Sequence, residues 1–139
     1  MERIITLLKE KNHYLEKFYV MNENELLNFA DGNFENIESF YRARDKILDL
    51  IRTLDDIIEE ESKKAPLNLA EAAKSEISQI LREKDEWVTA ILSQDLQVLS
   101  WVEKEKSSII KELQLVRKNK KAIQGYHSGR RTPAVDEKA

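Results

Sequence analysis

The chain has 139 residues, the size of one domain, with 35% charged residues, only 3 Gly and 2 Pro, and a net charge of −3. Such a composition points to long helices and coiled coils, and a hydrophobic content of 41% is too high for a disordered chain. The absence of Cys excludes a disulfide framework and thiol chemistry.

The first element is expected to be a helix from Glu2 to Ala30. Ile4, Leu7, Leu8, Leu15, Phe18, Met21, Leu26 and Phe29 recur on one stripe, with Tyr14 at its edge. This helix begins at once, without the long apolar run and small-residue cleavage site of a signal peptide, and the absence of Cys fits the cytoplasm. Asp31-Gly32-Asn33 ends it: Gly32 is suited to the left-handed closing conformation, and Asn33 to capping the next helix. So short a break implies an antiparallel helical hairpin.

The second helix is expected over 34–61, where Ile37, Phe40, Tyr41, Ile47, Leu48, Ile51, Leu54 and Ile58 make a wide apolar face. Its acidic end, Glu59-Glu60-Glu61, opposes the helix dipole and suggests a frayed last turn. Pro66 bars the helical conformation at Ala65, which places the break there.

Asn68-Leu69-Ala70-Glu71 has the spacing of a capping box and marks the start of a third helix. No Gly or Pro interrupts it before Gly125. Unbroken, it spans roughly 85 Å against roughly 42 Å for each of the first two helices. It therefore either folds back near Ser93-Gln94-Asp95, giving four helices, or continues and leaves its far end uncovered. The lack of a breaker over 84–112 favours continuation. The fold class is accordingly all-α: an antiparallel hairpin packed on a long, coiled-coil-like third helix, a bundle of three to four helices. Leu81, Val88, Val102, Ile109, Val116 and Ile123 fall seven apart on that helix, with Asp95 the one polar member, and such a seam is expected to lie against another helix. The bundle is expected to occupy 1–126 as one domain, with 127–139 a flexible polar tail lacking apolar periodicity.

Charge is segregated. Residues 117–139 hold seven basic and two acidic side chains, a net +5, which leaves −8 for the rest. An acidic body disfavours nucleic acid, and the basic run lacks interleaved aromatics; no apolar run approaches the roughly 18 residues of a membrane span. Only His13 and His127 are present, so neither the ligand spacing of a zinc site nor the Glu-x-x-His pattern of helical carboxylate sites occurs. Asp55-Asp56 and Glu59-Glu60-Glu61 read as solvated faces, and no Gly-rich phosphate loop is present. No cofactor or metal is expected, and catalysis is not.

Binding is better supported. Leu99, Trp101, Val102, Ile109, Leu113 and Val116 form an apolar stripe beyond the reach of the first two helices, and patches of that kind mark interfaces. Trp87 and Trp101, two heptads apart, suit partial burial at a helix–helix contact or anchoring of a partner. Tyr126 suits either a contact that fixes the helix end or an anchor that orders on binding.

Two stretches carry a family likeness. Asp31-Gly32-Asn33-Phe34-Glu35 followed by Arg44 and Ile47-Leu48-Asp49-Leu50-Ile51 resembles part of the small helical flagellar export chaperones of the FliT/FlgN type. Lys104-Glu105-Lys106 through Lys118-Asn119-Lys120-Lys121-Ala122-Ile123-Gln124-Gly125-Tyr126 is similar to the C-terminal part of that group, with Asn119 in place of an expected Gly. The ending Val135-Asp136-Glu137-Lys138 is similar as well. The resemblance implies a cytoplasmic type III secretion chaperone for flagellum assembly, acting by protein binding. Its partners would be the filament-cap protein or the hook–filament junction (hook-associated) proteins, with hand-over to export-gate or export-ATPase components. On this reading an amphipathic helix of the partner is laid against the chaperone's own helices. Carried onto this chain, the contact residues are Trp101, Val102, Ile109, Leu113, Val116, Ile123 and Tyr126, with Lys118, Lys120 and Lys121 steering an acidic partner. The alternative is a structural coiled-coil homodimer or scaffold with no secretion role, in which the same stripe is a self-association seam.

Overall fold

The structure, a computed structural model, describes residues 2–66 and 68–126, and the side chains of these up to Lys121. Three helices follow one another: α1 (Glu2–Ala30), α2 (Ile37–Lys63) and α3 (Glu71–Tyr126). The chain divides into two compact units, Met1–Val98 and Leu99–Ala139. The tail expected over 127–139 lies outside the described residues.

α1 ends where its sequence directs. Gly32 adopts φ +79°, the Asn33 N–H donates to the Asn28 carbonyl at 2.8 Å, and the Gly32 N–H donates to Phe29 at 2.9 Å. These two bonds are a Schellman closure, which satisfies carbonyls the helix end leaves open. Asn33 does not cap α2. Its Oδ1 accepts from the Glu35 N–H two residues on, at 3.0 Å, and this local turn postpones the helix to Ile37. The α3 capping box does not form either. The helix starts at Glu71 with the Ala70 carbonyl accepting from Lys74, so Asn68 stands outside it. α2, in contrast, runs two residues past the acidic triplet. Glu61 is held by Arg3 of α1 at 3.4 Å, a cross-helix pair that offsets the unfavourable dipole.

Within Met1–Val98 the helices alternate in direction. Arg3 pairs with Glu61 and Lys11 with Asp55 (2.6 Å), so α1 and α2 are antiparallel. Lys9 pairs with Glu76 (3.0 Å), Tyr19 packs on Trp87 (ring centroids 5.4 Å apart), and Asn22 meets Gln94, so this part of α3 is parallel to α1. Among the described residues the buried apolar side chains, including Leu15, Phe18, Phe29, Phe40, Ile51 and Ile91, all belong to this unit. Each contributes about 1.5–3 kcal/mol by leaving water. Phe29, wholly buried, stacks on Phe34 at 4.7 Å and meets the edge of Phe40 at 6.3 Å, which seals the turn end of the hairpin.

The face that α3 turns to this core differs from the one its seven-residue row suggests. Ile80, Ile91, Gln94 and Val98 are buried and Trp87 is half-buried, whereas Leu81 and Val88 of the row remain exposed. The core row is the neighbouring one, offset by about 100° around the helix. Gln94, in the sequence only part of a possible break at Ser93-Gln94-Asp95, interrupts the apolar pattern of this row. Gln94 instead accepts from Asn22 Nδ2 at 3.1 Å and donates to the Tyr19 carbonyl at 3.0 Å and to Glu23 at 2.8 Å. Asp95 accepts from Asn22 at 3.3 Å and pairs with Arg44 of α2 at 3.2 Å, while the Arg44 guanidinium lies over the rings of Phe18, Phe40 and Tyr41 at 5.0–5.7 Å. One polar cluster thus ties all three helices together at a single register.

Candidate functional site

Every residue proposed from the sequence to contact a partner stands on α3, from Trp101 to Tyr126. α3 is continuous through Ser93-Gln94-Asp95, because Gln94 and Asp95 spend their polar groups on α1 and α2 rather than on a turn. Over Leu99–Lys121 no residue is buried. Ile109 (48% exposed), Leu113 (54%), Val116 (60%) and Leu99 (55%) present about half or more of their surface to solvent, and Val102 is half-buried.

Helical geometry decides which of these share a face. At about 100° per residue, Leu99, Val102, Ile109, Leu113 and Val116 fall on one side of α3, with Lys106 and Lys120 on the same side. The row is therefore apolar with two interleaved cations. Ile110, 45% exposed, borders it and was missed in the sequence, where it reads as the second half of an Ile109-Ile110 pair. Trp101 does not join the row. It is turned about 100° from Val102 and holds the Lys104 ammonium over its ring at 5.2 Å. Lys118 lies on the opposite side of the helix and Lys121 on the flank. Ile123 and Tyr126 belong to the last turns of α3, but their side chains lie outside the described ones.

Residues 99–121 hold seven basic and three acidic side chains, a net +4, so the row sits in a positive field. A helix with this face can bury an amphipathic helix of opposite charge. Leu113 and Val116 would supply contact area, and Lys106 and Lys120 would meet carboxylates. Among the described residues no group of His, Asp or Glu is placed to hold a metal, and no helix is long and apolar enough to cross a membrane. Comparison with protein-family models, with curated proteins and with solved structures finds no match.

Proposed function

We propose that this chain is a cytoplasmic flagellar export chaperone that binds a helical segment of a late flagellar substrate, a filament-cap or hook–filament junction protein, and prevents its premature assembly. One observation carries the reading: the row Leu99–Val102–Ile109–Leu113–Val116 is apolar, exposed at all but the half-buried Val102, and interleaved with lysines. Water-exposed apolar rows of this length on a charged helix are costly to keep unless a partner covers them in use. The flagellar assignment itself rests on the sequence resemblance around Asp31–Ile51 and Lys104–Tyr126. Binding would be stoichiometric and would require no catalysis. Purification of the tagged chain from its native host, with identification of the proteins recovered and the mass of the complex, tests this. A cap or junction protein at a fixed ratio supports the chaperone reading and fixes its subtype.

A second reading is favoured by the heptad spacing of the same row, with Leu99 and Leu113 alternating with Val102, Ile109 and Val116. On that reading two copies cover each other's rows. It requires a dimer mass that does not change with concentration and the absence of a heterologous partner.

A further inference from the structure

A groove of about 640 Å³ runs between α1 and α2. On α1 it is walled by Lys17, Val20, Asn24 and Asn28, which lie on average roughly 160° around the helix from the residues that meet α3 (Asn12, Tyr19, Asn22). The groove is therefore on the side of the hairpin away from α3. Its floor is apolar, made by Met21 and Phe40 between Val20 and Ala43, and Val20 is 48% exposed. At one place the floor is not apolar. Glu25 lines the groove, is only 5% exposed, and has Asn28 Nδ2 (2.9 Å to Oε1) as its one side-chain donor among the described residues. None of the described ion pairs includes it, and Lys17, the lysine that lines the groove, is turned onto the Tyr14 ring at 5.6 Å.

Glu25 thus has one amide donor and no ion-pair partner among the described residues, and it lines the groove. The site is complementary to a positive charge arriving from outside. The form of the groove says how that charge is carried. From His13 to Asn28 the wall on α1 is roughly 22 Å long, about four turns of helix, and it is open along its length. A trough with an apolar floor between two helices accepts the apolar face of a third. We propose that this groove takes an amphipathic helical segment of another protein that places a lysine or arginine against Glu25. It is a second interaction surface, distinct from the row on α3.

The probes are two synthetic helices of about four turns, built on alanine and leucine and differing in one central residue, lysine or glutamate. They are titrated into the isotopically labelled full chain and followed by amide resonances. The lysine helix is expected to shift the amides of Val20, Asn24, Asn28 and Ser39 and to bind at least roughly tenfold more tightly than the glutamate helix. Glu25→Gln is expected to remove that preference while helix content by circular dichroism is retained. Equal binding of the two helices, shifts confined to residues 99–121, or an unchanged preference in Glu25→Gln overturns the proposal. Should Glu25→Gln unfold the chain, Val20→Lys decides. This position is half exposed, and its new cation should abolish binding of the lysine helix; undiminished binding overturns the proposal.

Discussion

Three residues make disproportionate contributions. Gly32 has φ +79°, where a side chain is strained, yet a Cβ there would meet nothing within 4 Å. Gly32→Ala should therefore cost only the backbone term, about 1 kcal/mol, measured by chemical denaturation. Phe29 is the opposite case: wholly buried between two rings, it should lose about 3–5 kcal/mol as Phe29→Ala. Asn22 is fully buried, donates to both Gln94 and Asp95, and leaves its own Oδ1 without a partner. Asn22→Ala strips donors from two acceptors and should cost about 2–4 kcal/mol. None of this cluster was legible in the sequence. Periodicity counts apolar residues, and a buried amide is recognisable only when the helix opposite supplies its partner. Gly32, by contrast, was legible because a chain break needing positive φ has a single residue type that meets it without strain.

At the scale of elements, α1 begins and ends where the sequence placed it, its apolar stripe running to Phe29 and Gly32 closing it. The starts of α2 and α3 fall three residues later than the sequence suggested. Asn33 was satisfied by a local turn and Asn68 was not used as a cap. Cap residues are common in turns of every kind, so their presence marks the neighbourhood of a helix end and not its position. α3 carries two apolar rows, and sequence periodicity favoured the one that stays exposed. The row that forms the core is interrupted by Gln94, and its membership depends on Asn22. This division has a dynamic consequence. The core helices are protected by burial, while over Leu99–Lys121 no side chain is buried, and an isolated helix of that length is marginal in water. Hydrogen exchange should therefore be slow for buried segments of α1, such as Leu15–Phe18, and fast over 99–121. Truncation after Val98 should leave the thermal midpoint of the remaining helices within a few degrees of the full chain.

Over the whole molecule, charge and hydrophobicity are separated along the chain. Among the described residues the buried apolar side chains fall within residues 4–98, and the segment 99–121 that bears the exposed row has a net +4. On the proposed reading residues 99–121 bind without contributing to the core, so substitutions there should be silent in folding. Leu113→Glu with Val116→Glu removes apolar surface that is already more than half in water, and helix content should be nearly unchanged. The measurement that separates the readings is recovery of partner from the native host by the tagged full chain and by this double variant, side by side, at equal helix content. A flagellar cap or junction protein should accompany the unaltered chain at a fixed ratio and be lost from the variant. Equal recovery by both, or recovery of the unaltered chain alone as a stable dimer, would contradict the assignment of the α3 row to a heterologous helical partner.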